Sequence, residues 1–203
     1  MITETTADVK GNRFLSVITE PTEYPVTVSE IKEFARIDGN DEDSILETFL
    51  AGVVNEVESY LGRALITRTY KLIMDEWNQR EIELMYPPLI SVQSVNTVDE
   101  SNVETVYSSD NYYVITESIP GRLIIKQSVE MPSNADRDYA GYNIKYTAGY
   151  GSASSIPKQI KIAIMQWVTM IYEKRSMTEN DLNEIIIPKE VVKILKPYRV
   201  IKL

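Results

Sequence analysis

The sequence contains no cysteine and no histidine. The lack of cysteine excludes disulfide bonds and thiolate metal sites within the chain, and it fits a reducing compartment. The lack of histidine removes the commonest general base, the imidazole metal ligands and every nucleophile that depends on a neighbouring imidazole. Catalysis by the chain itself would therefore have to use carboxylate, lysine or tyrosine side chains.

Long apolar runs and a positive net charge are also missing. The longest apolar stretch, Ile162 to Tyr172, is far shorter than the roughly 20 residues of a membrane-spanning helix, so no membrane protein is expected. Residues 1–17 lack the basic start and apolar block of a secretory signal. The formal net charge of −9 disfavours coating or sequence-specific binding of nucleic acid, because phosphate contacts rely on lysine and arginine.

The residues that are present predict an α+β fold. The 203 residues are 43% hydrophobic and 25% charged, which is typical of a globular chain with one medium or two small domains. Helical periodicity predicts a small helical bundle with helices near 27–37, 41–62 and 157–175 and a short C-terminal helix near 188–196. Residues 64–150 alternate apolar and polar side chains between turns, which predicts an inserted antiparallel β region. Residues 1–24 are predicted to form an extended N-terminal arm or a loose end.

Helix ends can be predicted from capping residues. Thr27 and Glu30 match the capping box, in which each side chain accepts a hydrogen bond from the other residue's backbone amide. Asn40 or Asp41 is expected to cap the second helix, and Gly62 to end it. Asp38, Asn40 and Glu42 alternate as in a calcium loop, but the sixth position is not glycine and the twelfth is not glutamate, so we interpret this loop as a helix start.

The stretch "YTAGYGSASSIP", Tyr146 to Pro157, has the glycines of a phosphate-binding loop. No lysine followed by serine or threonine comes after its last glycine, so the phosphate interpretation is not favoured. Gly149 and Gly151 permit backbone angles closed to other residues, and Pro157 suits the first turn of a helix. The stretch is predicted to be a structural corner between the last strand and the third helix.

The third helix and the C-terminus are the candidate contact regions. Apolar residues cover a broad arc of this helix, so it is either central to the core or covered by a partner copy; they include Ile160, Ile164, Trp167 and Ile171. The last residues, 189–203, carry five basic side chains and a single glutamate, which indicates either a tail with its own contact surface or a solvated basic end.

Three sequence segments together resemble the head–tail connector (adaptor) family of tailed bacteriophages, in its longer form with a strand-rich middle. They are "VTVSEIKEFARIDGNDEDSILETFLAGVVNEVESYLGRALITRTY", "IKYTAGYGSASSIPKQIKIAIMQWVTMIYEKR" and "KILKPYRV". Related adaptors occur in prophages and gene transfer agents. The resemblance implies a single adaptor domain over residues 25–203, in which 64–150 form the strand-rich insertion and 176–203 the C-terminal connection and tail.

The resemblance also implies a structural virion protein that forms a ring under the portal and joins head to tail while the genome passes through. The partners would be the portal, downstream head-completion or tail-side proteins and further copies of the chain, although the free protein could be monomeric. No catalytic residue, cofactor or metal site is implied. The implied location is the head–tail interface of the virion, after assembly in the bacterial cytoplasm.

The C-terminal segment of such adaptors reaches the portal, so residues 191–203 are the candidate portal contact, and their deletion is expected to weaken portal binding without disturbing the fold. The candidate contact residues are Val191, Lys193, Leu195, Lys196, Tyr198 and Arg199.

Two alternatives remain open at this stage. The chain could be another virion assembly part, such as a packaging accessory or a tail-terminator protein. A carboxylate-dependent enzyme is the less favoured alternative. The acidic pairs Asp75/Glu76 and Asp41/Asp43 have simpler roles in turns or at a helix end, and no spacing suggests two carboxylates facing each other across a cleft.

Overall fold

The computed structural model describes residues 5–8, 13–133, 137–174 and 187–200. Within these residues it contains four α-helices and nine β-strands, which confirms the predicted α+β class. The chain divides into two compact units. The strand unit comprises Met1–Pro21 and Thr67–Gly149, and the helical unit comprises Thr22–Ile66 and Tyr150–Leu203. The assignment of residues 25–203 to a single adaptor domain stays a prediction.

The helical unit is organised around its third helix. Its helices are α1 (Val28–Ala35), α2 (Asp43–Leu61), α3 (Lys158–Lys174) and α4 (Lys189–Leu195), and a 3₁₀ turn, Lys196–Tyr198, follows α4. Helices α1, α2 and α4 all contact α3. Buried side chains from all four helices share one core, in which Ile31, Leu50, Trp167 and Val191 are each 2% exposed or less.

The ends of α1 and α2 show which capping predictions are correct. Thr27 and Glu30 form the predicted capping box: the Thr27 amide donates to Glu30 Oε2 at 2.7 Å, and the Glu30 amide donates to Thr27 Oγ1 at 3.1 Å. Gly62 ends α2 in the left-handed conformation, as predicted. The predicted cap of α2 is wrong, because Glu42 occupies that position and makes no side-chain capping bond, while the Asn40 carbonyl accepts from the Asp43 amide.

Replacing Glu30 by glutamine is expected to destabilise the helical unit slightly at neutral pH. Burial alone would raise the pKa of Glu30, but hydrogen bonds from the Thr27 amide and from Lys161 Nζ, at 2.9 Å, hold this pKa below its usual value. The stabilisation is therefore present above the unfolded-state pKa and is lost as pH falls through the folded-state pKa. Since the ion pair is partly solvated, we expect a loss below about 1 kcal/mol.

Urea denaturation at several pH values measures this effect, with Glu33→Gln, an exposed glutamate of the same helix, as control. The Glu30 variant should approach the wild type at acidic pH, whereas a difference that persists there would contradict the assigned ion pair.

The strand unit contains two antiparallel sheets, as the alternating pattern predicts. The strands are β1 (Thr5–Asp8), β2 (Arg13–Thr19), β3 (Arg68–Met74), β4 (Glu81–Leu84), β5 (Leu89–Val98), β6 (Glu104–Val106), β7 (Tyr112–Ile115), β8 (Gly121–Ile125) and β9 (Tyr142–Ala148). The order is β1-β2-β3-β9-β5-β6 in one sheet and β4-β8-β7 in the other. Tyr70 and Leu72 on β3 and Ile144 and Tyr146 on β9 show the expected period of two, which is interrupted at Asn143 of β9, a buried polar residue.

The N-terminal residues belong to the larger sheet. β2 pairs antiparallel with β3, matching Leu15 with Leu72, and β1 pairs with β2. The sequence predicts an extended arm or a loose end over residues 1–24, and it does not predict that β1 and β2 pair with the larger sheet. Apolar residues occur on both faces of β2, with Leu15 3% exposed and its neighbour Phe14 41% exposed. A strand of this kind lacks the clean alternation that identifies strands in sequence.

Candidate interaction surface

The C-terminal segment of the helical unit has one buried and one exposed face. Val191 and Leu195, one helical turn apart on α4, are fully buried in the core. Lys193, Lys196 and Arg199 are exposed. The candidate portal contacts therefore divide into apolar anchors, which hold the segment in the unit, and basic side chains that a partner could reach. Tyr198 belongs to neither group, because it is half-buried and bonded within the unit.

The burial of Val191 and Leu195 argues against the expectation that residues 191–203 can be deleted without disturbing the fold. Deletion would remove Val191 and Leu195 from the core and expose the apolar side chains packed against them. Truncation is therefore unsuited to testing the contact role, and substitution of the exposed residues is needed. The connection predicted over 176–186 and the last three residues, 201–203, lie outside the described residues.

The end of α2 holds the chain that follows α4. Arg63, which is 8% exposed, donates from Nε to the Tyr198 carbonyl oxygen at 2.5 Å. The Val200 amide donates to the Leu61 carbonyl at 2.9 Å, and the Arg199 guanidinium lies 4.9 Å from the centre of the Tyr60 ring. We call these contacts the clasp.

A further bond, from the Tyr198 hydroxyl to Gln159 Oε1 at 3.1 Å, ties the 3₁₀ turn to α3. The sequence analysis assigned no role to Arg63, Tyr60 or Gln159, although all three lie in the segments that carry the family resemblance. Arg63 also lies 6.0 Å from the centre of the Tyr150 ring. Burial raises the pKa of the Tyr150 hydroxyl, and the positive charge of Arg63 partly opposes this rise.

Charge is divided unevenly along the helical unit. Residues 22–66, which contain α1 and α2, carry ten acidic and three basic side chains. Residues 150–174 and 187–200, which contain α3 and α4, carry two acidic and seven basic side chains. Residues 187–200 alone carry four basic side chains and one acidic side chain, so the C-terminal segment is basic within an acidic chain.

The residues proposed from sequence on α3 lie inside the helical unit. Ile160, Ile164 and Trp167 are buried, at 2% exposure or less, and Ile171 is half-buried. The breadth of the apolar arc is explained by contacts of α3 with the other three helices. Of the two sequence-based interpretations, a helix central to the core fits these buried residues.

The corner between β9 and α3 has the geometry of a structural turn. Gly149 and Gly151 have φ values of 129° and 114°, which side chains with a Cβ rarely adopt. The Pro157 carbonyl accepts hydrogen bonds from the amides of Ile160 and Lys161 at the start of α3. The interpretation of the stretch as a structural corner stays a prediction.

One acidic side chain of each pair considered for catalysis has a structural contact, and the other, Glu76 or Asp41, is exposed. Asp75, 8% exposed, accepts a hydrogen bond from the Ala140 amide at 2.7 Å, and Asp43 forms an ion pair with Lys32 at 2.8 Å. An open depression of about 360 Å³ in the strand unit has Glu130 as its one acidic lining residue. Among the described residues, no group of three or more acidic side chains could hold a metal ion, and no helix is both long and apolar enough to cross a bilayer.

Comparison with solved structures shows a shared fold. A chain in the neck of an empty GTA particle, computed with C6 symmetry, matches with a TM-score of 0.74 and 20% identity over 93% of this chain and 96% of that chain. A chain in the virion of a native gene transfer agent (GTA) particle matches with a TM-score of 0.74 and 22% identity over the same shares. A chain in the neck of a native GTA particle, computed with C12 symmetry, matches with a TM-score of 0.71 and 21% identity over 100% of this chain and 97% of that chain.

A family comparison covers most of the sequence. No curated protein gives a significant match. The sequence model of the family described as "Head completion protein" matches residues 26–201, which include all four helices and the strands from β3 to β9. This match confirms the predicted resemblance to head–tail connectors and the structural role of such a connector in a phage-like particle. The chain belongs to the head completion protein family.

Proposed function

We propose that the chain forms a homo-oligomeric ring beneath the portal of a phage or prophage particle, joins the head to tail-side proteins, and leaves a passage for the genome. Two structurally similar chains come from particle necks computed with C6 and C12 symmetry, which supports a ring. The location would be the head–tail interface of the virion, reached after assembly in the bacterial cytoplasm. In this proposal the helical unit is a small bundle around α3, and residues 25–203 act as one adaptor domain.

The proposed portal contact is supported by one observation, which is that the basic C-terminal segment is anchored in the core of the helical unit. Val191 and Leu195 fix α4 in the core, so that Lys193 and the 3₁₀ turn with Lys196 are presented from a defined position. A fixed surface loses less conformational freedom on binding than a mobile tail does. Opposite charge on the partner would add steering and specificity to this contact.

The proposal assigns no reactive centre to the chain. Asp75 and Asp43, one from each acidic pair considered for catalysis, have structural partners, and the family is one of virion structural proteins. Net negative charge is compatible with a passage that must not retain DNA, because acidic side chains repel phosphate.

Negative-stain microscopy of the protein alone and mixed with its portal tests the ring. We expect rings, at least in the presence of the portal, seated on one face of it. Rings that never attach to portals would instead favour a tail-terminator role, and monomers under all conditions would contradict the proposal.

Reversing two exposed charges on the C-terminal segment should weaken portal binding. The double variant Lys193→Glu/Lys196→Glu leaves the buried anchors of α4 in place, so the fold should be retained. Each lost charge contact typically changes affinity by several-fold, and the pair should reduce it by about tenfold or more at low salt.

Co-sedimentation with portal at two salt concentrations measures this change. A matched control is Lys158→Glu/Lys174→Glu, which alters the net charge equally at exposed positions of α3. Equal effects of the two double variants would show that net charge, and not this segment, governs binding.

A further inference from the structure

We infer that Arg63 is a positioning residue: through the clasp it sets the direction of the chain after α4 and so presents Lys196 and Arg199 to an acidic surface on the portal. The identity of the partner rests on the proposed function. The clasp itself is a property of the helical unit and can be tested without any partner.

Arg63 is buried, and the end of α2 fixes the position of its backbone. It follows Gly62, the left-handed residue that ends α2, and its own amide bonds back to the Glu58 carbonyl at 3.3 Å. From there Nε reaches the Tyr198 carbonyl oxygen at 2.5 Å. A hydrogen bond with a charged donor is roughly twice as strong as a neutral one, and the planar guanidinium restricts its direction.

The residues after Tyr198 are held by further contacts to the same end of α2. The Val200 amide donates to the Leu61 carbonyl at 2.9 Å, and the Arg199 guanidinium lies 4.9 Å from the centre of the Tyr60 ring. Three consecutive residues, 198–200, therefore each contact the last turn of α2 or the residues beside it.

The contacts of the clasp fix the position of residues 198–200, and they add little buried apolar surface to the core. α4 is already fixed by Val191 and Leu195, which are fully buried. Beyond Leu195 the described chain contributes no buried side chain, and Lys196 and Arg199 are exposed. Tyr198 packs only partly against the core, so the direction of the chain after it depends mainly on hydrogen bonds and on the contact between Arg199 and Tyr60.

The chemistry of the presented side chains indicates the partner surface. Lysine and arginine at this density fit carboxylates, and an arginine can bind a carboxylate through two parallel hydrogen bonds. Because the clasp holds the backbone at Tyr198, Lys196 and Arg199 keep a fixed spacing before the partner arrives. Such preorganisation increases affinity by reducing the conformational freedom lost on binding.

Limited trypsin digestion followed by mass spectrometry tests the clasp in the isolated full chain. Cleavage after Arg199 releases Val200–Leu203, while the bond after Lys196 resists trypsin because Pro197 follows it. Proteolysis that is slow relative to opening reports the population of the open segment. Loss of a charge-assisted bond should raise that population, and thus the rate of cleavage after Arg199, by about tenfold in Arg63→Ala.

Arg63→Lys is the conservative variant, because it keeps the charge and most of the length but loses the Nε–H donor. It should increase cleavage after Arg199 with little change in cleavage after Lys158 or Lys174 and with an unchanged thermal midpoint. Selective cleavage in this variant supports the clasp even where Arg63→Ala fails to fold. Unchanged cleavage after Arg199 in Arg63→Lys would overturn it.

Measurement of portal binding then tests whether the clasp positions Lys196 and Arg199 for the portal. Arg63→Lys should bind portal several-fold more weakly than the wild type but with the same dependence on salt, since the number of charges is unchanged. Normal portal affinity despite faster cleavage would overturn the positioning role. If the wild type itself does not bind portal, the proposed function fails, while the digestion result still decides whether the clasp exists.

Discussion

Replacing Trp167 by alanine is expected to lower the free energy of unfolding of the helical unit by about 3–5 kcal/mol. Trp167 is 2% exposed on α3, the helix that contacts α1, α2 and α4. Truncation removes the largest buried side chain of this core and leaves a cavity that three neighbouring helices would have to fill. The loss is comparable to the whole stability of a small unit.

Ile162→Ala is the matched control for Trp167→Ala. Ile162 lies on the same helix but is 43% exposed, so its truncation should cost little. Denaturant titration followed by far-ultraviolet circular dichroism measures both variants. Normal stability of Trp167→Ala together with a failure to form rings would show that the tryptophan packs against another copy, contrary to its burial within the helical unit.

This result would also decide between two sequence-based interpretations of α3. The broad apolar arc predicts that the helix is central or covered by a partner, so a charged residue in place of Trp167 would either unfold the monomer or abolish assembly. Since Ile160, Ile164 and Trp167 are buried by the chain itself, unfolding is the expected outcome. In the proposed ring, apolar contact surface would therefore come from other side chains; exposed examples in the helical unit are Tyr24, Phe34, Ile45 and Ile162.

The features that the sequence predicts well depend on local patterns. The capping box at Thr27 and Glu30 and the C-cap at Gly62 are formed as predicted, because they involve residues no more than four positions apart. Helices α2 and α3 were predicted at 41–62 and 157–175, and they lie at Asp43–Leu61 and Lys158–Lys174. Local spacing carries this information directly.

The features that sequence reasoning missed depend on distant contacts. Arg63 and Tyr198 are 135 positions apart, so no local sequence pattern predicts the hydrogen bond between them. The order of the large sheet places β9 between β3 and β5, which no local pattern predicts. The charge of the basic C-terminus is visible in the sequence and indicates either a contact tail or a solvated end, whereas the burial of Val191 and Leu195 depends on α3.

Replacing Gly121 by alanine is the second change for which we expect a large loss of stability, here in the strand unit. A Cβ atom at this position, the first residue of β8, would lie 2.4 Å from Leu89 Cβ and 2.7 Å from Leu89 Cδ2. Leu89 is 4% exposed on β5, and its Cβ is fixed to the backbone, so a rotamer change cannot remove the overlap. The two strands would have to move apart. We expect the free energy of unfolding to fall by an amount at the upper end of about 1–3 kcal/mol or beyond.

Gly52→Ala provides the matched control, because it is the same chemical change at an open position. No atom lies within 4 Å of a Cβ built at Gly52 in the middle of α2. Alanine should therefore stabilise that helix by about 0.5–1 kcal/mol. The two substitutions should thus change stability in opposite directions, measured by thermal and denaturant unfolding of each full chain.

A further variant separates the backbone contribution to this clash from the side-chain contribution. In Gly121→Ala/Leu89→Ala the Cγ and Cδ2 contacts disappear, but the 2.4 Å approach between the two Cβ atoms remains. The double variant should therefore stay less stable than Leu89→Ala alone. If Gly121→Ala costs nothing in the Leu89→Ala background, the strand backbones are farther apart than this contact requires, and the absence of a side chain at Gly121 has another cause.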